Sequence, residues 1–246
     1  MSPSFDRENL LVLFCVTMLL LVGSCRSSLE NDNSDDVEIP IGTEIGSLLW
    51  VNEFHTDWAI KEAVRHTLDN SSIIIGQISW SPHDSSFFKN ASWYHGLAKN
   101  HNKKFMLSID WQNFLRTGTL GDWSFEDDSA QDKYKKDMLN LIQVYSPDYI
   151  QLGVEINYYS LIHPEGYRGF IKTYNELKEE INAEYESLEV GLSFQLELLF
   201  GVHQHWDKNR TLETLDIVSK NLDFIGVSTY PDEYYENEKD PLGSLK

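Results

Sequence analysis

The sequence predicts an α/β fold, a (β/α)8 barrel of which about six βα units lie within this chain. Three observations point there. From residue 47 onward, short apolar runs alternate with segments of helical periodicity, the pattern of parallel strands joined by crossover helices. No glycine-rich phosphate loop follows the first run, as a dinucleotide-binding open sheet requires. Polar and aromatic residues gather just after the strands instead: Asn52, Glu53, Trp80, Asp110, Trp111, Gln112, Glu155, Asn157, Gln195 and Tyr230. Groups converging from several strand ends are what a barrel active site requires.

Strands are expected over 48–53, 72–79, 104–110, 149–155, 188–195 and 223–229, each rich in Ile, Val, Leu or Phe. Turn signals precede them, such as Asp69-Asn70 and Asn100-His101-Asn102. Helical faces fill the gaps. Ile60, Val64 and Leu68 give a weak one; Tyr134, Met138, Leu141, Ile142 and Tyr145 give a second; Phe170, Tyr174, Leu177 and Ile181 give a third. Ser129 followed by Asp132 reads as a variant capping box opening the second helix, and Pro164 suits the first turn of the third.

The most informative stretch runs from Tyr149 to Tyr159, YIQLGVEINYY. An apolar run that short, bounded by Ser146-Pro147-Asp148 and His163-Pro164, suits a strand covered on both faces. It ends by projecting Glu155 into a rim of amides and aromatics. A strand-end carboxylate incurs a desolvation cost, and it lies where barrels keep their chemistry.

Residues 1–24 read as a signal peptide, 25–46 as an acidic tether and 47–246 as the partial barrel. Leu10 to Val22 is an apolar run too short to span a bilayer comfortably but suited to a signal-peptide core. It ends in Val22-Gly23-Ser24-Cys25, which resembles the bacterial lipobox, and this implies export and a cell-envelope lipoprotein anchored to the membrane by lipid on Cys25. The tether carries Glu30, Asp32, Asp35, Asp36 and Glu38 with few large apolar residues, so it cannot bury enough surface to offset its ordering entropy. Cleavage removes Cys15 and acylation occupies Cys25, leaving the folded part without a disulfide and dependent on its own core. A formal net charge of -19 disfavours nucleic acid and other polyanions as partners, and is compatible with neutral polymers such as polysaccharides.

Three segments carry a family resemblance: Lys104-Phe-Met-Leu-Ser-Ile-Asp-Trp-Gln112, Pro147-Asp-Tyr-Ile-Gln-Leu-Gly-Val-Glu-Ile-Asn157 and Asp223-Phe-Ile-Gly-Val-Ser-Thr-Tyr-Pro231. In order and spacing they resemble the third, fourth and sixth strands of the clan A glycoside hydrolases, closest to the family 53 endo-β-1,4-galactanases. The resemblance implies a TIM barrel that hydrolyses a β-linked polysaccharide with retention of configuration; no cofactor is expected, and no metal, since no third ligand accompanies His203 and His205. It implies that Glu155 is the acid/base and that Tyr230 orients the nucleophile. That nucleophile belongs to a seventh strand, expected beyond Lys246, and six strands alone would leave the edges of the first and sixth unpaired. The sequence departs from the family at Val154, where the pattern has an Asn that contacts the sugar 2-hydroxyl.

Retaining hydrolysis needs a second carboxyl about 5–5.5 Å from the first; Glu53 and Asp110, both at expected strand ends, are candidates within the chain. Asp110, Gln112, Asn157 and Gln195 are candidates to bind sugar hydroxyls. Trp80, Trp111, Tyr158 and Trp206 offer faces on which sugars stack, at about 1 kcal/mol each. Two other readings stand beside hydrolysis: a non-catalytic glycan-binding lipoprotein of the same fold, and a metal-dependent hydrolase built on His203 and His205.

Overall fold

The computed structural model of the chain describes residues 46–48, 57–112, 119, 121–201, 214, 215, 218 and 221–229. Within them lie six strands: β1 (Gly46–Leu48), β2 (Ile73–Ser79), β3 (Lys104–Asp110), β4 (Tyr149–Gln151), β5 (Glu189–Gln195) and β6 (Phe224–Ser228). All pair in parallel, in the order β1-β2-β3-β4-β5-β6. The helices between them are α1 (Asp57–Asn70), α2 (Ser86–Asn100), α3 (Asp128–Tyr145), α4 (Ile156–Ile162), α5 (Pro164–Glu184) and α6 (Leu196–Phe200). A doubly wound sheet reverses its strand order at a switch point. This one never does, so the architecture is that of a (β/α)8 barrel, of which these are six consecutive strands.

The two faces of the sheet differ. Ile74, Ile78, Leu107, Ile109, Ile150, Val190, Leu192 and Phe194 belong to the large core that includes the buried stripes of α2, α3 and α5. The opposite face is apolar only near the strand starts, where Ile73, Ile75, Met106, Tyr149 and Phe224 form a second cluster. Further along the same alternation, the residues are Gln77, Ser108, Asp110, Gln151, Ser193, Gln195 and Ser228. The barrel side therefore changes from apolar to polar toward the C-terminal ends of its strands.

Several expected elements shift. The first strand is described only over Gly46–Leu48, and the rest of 48–53, with Asn52 and Glu53, lies outside the described residues. Asp127, not Ser129, caps α3: its side chain accepts from the Ser129 backbone N–H at 2.9 Å, one residue before the helix opens. Pro164 does begin α5. The largest change is in the fourth strand, where regular pairing stops at Gln151 rather than running to residue 155.

Lys178, 2 % exposed on α5, donates to Asn182 at 2.8 Å and to the Asp223 carboxylate. Asp223 also accepts from the Val190 backbone at 2.8 Å, so the ion pair ties α5 to the starts of β5 and β6. Burial pushes the phenols of Tyr134, Tyr167 and Tyr174 above the ordinary tyrosine range. Because their folded values exceed the unfolded value of about 10, their contribution to stability is complete below that pH and is lost as pH rises through the folded values. In an alkaline titration, these phenols should ionise together with the loss of helical circular dichroism. Complete phenolate absorbance with native dichroism would contradict it.

Candidate functional site

The polar end of the sheet converges on Glu155. Its backbone is left-handed, with φ 49 and ψ 49, and it stands at the N-cap of α4. That conformation costs a non-glycine residue about 1–2 kcal/mol, so neighbours must hold it. The Trp111 indole donates to the Val154 carbonyl at 2.7 Å, the Tyr134 hydroxyl to the Leu152 carbonyl, and the Glu155 N–H to Ser193 Oγ at 3.0 Å. Gly153 lets the turn form, since a Cβ there would lie 2.7 Å from Ile156 and 2.8 Å from Phe170. The apolar run predicts Glu155 as the last residue of an extended strand. It instead occupies a turn that directs the chain from β4 into a short helix.

The Glu155 carboxyl is 2 % exposed and accepts at both oxygens. The Ser228 hydroxyl donates to Oε1 at 2.7 Å, and Gln112 Nε2 approaches Oε2 at 3.3 Å. Gln112 is itself fixed from below: its backbone N–H donates to Asp110 Oδ1 at 2.9 Å, and Asp110 Oδ2 accepts from Gln77 Nε2 at 2.7 Å. One level down, Gln151 Nε2 bridges Ser108 at 3.0 Å and Ser193 at 3.2 Å. A connected set of amides and hydroxyls, with the Asp110 carboxyl among them, thus lines the barrel side beneath the Glu155 carboxyl. Such a set orients an acid without supplying a counter-charge of its own. A second buried carboxyl, Glu197 at the start of α6, accepts from the Thr229 hydroxyl at 2.6 Å.

The expected sugar-binding residues divide. Gln112 and Asp110 join Glu155. Asn157 is 0 % exposed and holds β5 with its amide, donating to the Gln195 carbonyl and accepting from the Gln195 N–H, each at 2.9 Å. It splices α4 to the end of β5, and Gln195, 7 % exposed, is its backbone partner.

Trp80 offers no face to a ligand, because it is fully buried on the helix side. Its ring lies edge-on to Trp123 and Tyr134 at 4.8 and 4.9 Å, and its indole donates to Asp137 at 2.9 Å. Trp111, 5 % exposed, packs on Tyr159 at 4.6 Å and braces the Glu155 turn. Tyr158 is half-buried, 6.0 Å from Trp111. Trp206, Tyr230, Cys25, His203 and His205 lie outside the described residues.

Ser193, Ser228, Gln151 and Glu197 were not singled out from the sequence. A signal existed for the first three, polar residues at alternate positions in otherwise apolar strands. A hollow of about 760 Å³ opens at the other end of the sheet, between Lys104, Asp148, Tyr149 and Glu189 at the strand starts. It contains none of the groups around Glu155, and barrel chemistry belongs to the C-terminal rim.

No family model matches the chain, and no curated protein matches it. Among solved structures it is similar to Fpglu1 from Fervidobacterium pennivoraus, at 14 % identity and TM-score 0.46, over 67 % of this chain and 48 % of that one. It is also similar to the apo form of a beta-glucosidase, at 12 % identity and TM-score 0.46, over 69 % and 56 % of the two chains. A third is a GH113 beta-1,4-mannanase, at 14 % identity and TM-score 0.38, over 66 % and 62 %. The chain spans about half the length of the first two. The fold assignment rests on the strand order, not on these likenesses.

Proposed function

We propose that this chain carries the acid/base half of a glycoside hydrolase acting on a β-linked polysaccharide. The observation that supports the reading is the Glu155 carboxyl at the C-terminal end of a parallel barrel sheet, with a donor on each oxygen and a strained turn fixing its backbone. Glu155 protonates the departing glycosidic oxygen, then takes a proton from the water that completes hydrolysis. Gln112 and Asp110 border the sugar. A second carboxylate, outside the described residues, attacks the anomeric carbon, and Tyr230 orients it. Retention of configuration follows from that two-step course. Lipid on Cys25 holds the protein at the cell envelope, next to extracellular glycans.

The test is hydrolysis of a panel of neutral β-linked galactans, mannans and glucans, with product anomers followed by nuclear magnetic resonance. The expected result is cleavage of one glycan class with the β-anomer formed first. Release of the α-anomer first would replace retention by inversion, and no cleavage of any member would remove hydrolysis.

One observation favours a second reading, a glycan-binding protein without turnover. Val154 is 5 % exposed and contributes only its carbonyl, which Trp111 occupies, so the position before Glu155 has no polar side chain to offer a sugar. Binding of a glycan without its cleavage would select this reading.

A further inference from the structure

Adjacent residues at the end of β6 serve different carboxyls. Ser228 donates to Glu155 at 2.7 Å and Thr229 to Glu197 at 2.6 Å. Successive side chains of a strand leave opposite faces, so the two hydroxyls cannot exchange partners without a shift of the strand by one residue. On the barrel side, Ser228 is paired in register with Gln195, and β4 and β5 separate β6 from β3, which leads to Gln112. Glu155, just beyond β4, is therefore held from both sides of that strand, by Gln112 at one oxygen and Ser228 at the other.

The two grips are unequal. The 2.7 Å hydroxyl contact is of ordinary length for an O–H donor to a carboxylate, whereas the 3.3 Å amide contact is longer than a normal N–H···O bond. The backbone of Glu155 is fixed by Ser193, and the Val154 carbonyl before it by Trp111, so what stays adjustable is the direction of the side chain. Of the two described donors to its carboxyl, Ser228 makes the closer contact.

We propose that Ser228 is the positioning residue of Glu155, fixing its carboxyl in the single orientation from which it exchanges a proton with the glycan. This rests on the hydrolase reading above. Ser228 does not touch the reacting atoms; it acts through Glu155. A misdirected acid still admits substrate, so its loss falls on turnover rather than binding.

The experiment uses the whole protein with isotope-labelled glutamate carboxyls, and the resonance of Glu155 is assigned by its disappearance in Glu155→Gln. Ser228→Ala should move the Glu155 resonance and leave that of Glu197 in place, while Thr229→Val should do the reverse. On the glycan that the wild-type protein cleaves, Ser228→Ala should lower kcat roughly ten- to hundredfold with KM nearly unchanged. Ser228→Thr, which restores a hydroxyl at that position, should recover most of it.

A Glu155 resonance that ignores Ser228→Ala overturns the proposal. So does a moved resonance with unchanged kcat, or a loss that Ser228→Thr fails to recover in a protein with wild-type melting temperature. Failure of the hydrolase reading is separate: the wild-type protein then cleaves nothing, Ser228 has no reaction to position for, and the resonances report only a structural tie between β4 and β6.

Discussion

Glu155→Gln should lower hydrolysis by about 10²–10⁴-fold, the range that general acid–base catalysis contributes. The substitution keeps size and removes the transferable proton. It should also fold, for a specific reason. Ser228 and Gln112 both donate to the wild-type carboxyl, so an amide at this position must turn its own N–H away from the Gln112 N–H. It can do so by pointing its oxygen at Gln112 and its nitrogen at Ser228, whose hydroxyl rotates to accept.

A melting temperature close to wild type together with the rate loss would locate the effect in chemistry. Aryl glycosides with acidic leaving groups need little protonation and should lose least. Rates equal to wild type on every substrate would remove Glu155 from the mechanism.

Gly169→Ala should destabilise the fold by at least about 3 kcal/mol, read as a large fall in melting temperature. A Cβ at this position of α5 would lie 1.8 Å from the Phe125 carbonyl oxygen and 2.7 Å from its carbon. These are backbone atoms, so no rotamer relieves the overlap. Phe125, in turn, is 1 % exposed, and its ring meets those of Trp123, Tyr134 and Phe170 within 5.2 Å, while its carbonyl accepts from Gln131 at 2.7 Å. Displacing α5 would thus open the aromatic core behind the Glu155 turn.

Gly96, inside α2, is the control, because a Cβ there meets nothing within 4 Å. Gly96→Ala should stabilise by up to about 1 kcal/mol through helix propensity. A neutral Gly169→Ala would mean that α5 sits farther from Phe125 than described.

Much of the fold was legible because its signals are local. Strand runs and helix stripes announced themselves by period, and β2, β3, β5 and β6 fall within one or two residues of the expected spans. The fourth strand was the exception. A period-two reading cannot register that the backbone turns left-handed at Glu155, because what stabilises that turn comes from Trp111, Tyr134 and Ser193, 44, 21 and 38 residues away.

The packing of Trp80 and Trp111 is legible in the strand alternation. Trp80 shares parity with the helix-facing Ile74 and Ile78, and Trp111 is out of parity with the barrel-facing Ser108 and Asp110. Their place just after the strands suggests sugar platforms; strand alternation assigns both rings to packing.

By itself, the sequence determined the α/β class, the parallel order of its strands and the position of one buried carboxylate near a strand end. Those follow from which residues are apolar and how often they recur. Only the tertiary structure decided what holds that carboxylate, because Ser228 and Gln112 reach it from positions 73 and 43 residues away in the chain. A hydrogen bond depends on distances of tenths of an ångström between groups that the chain brings together only after the sheet has closed its register.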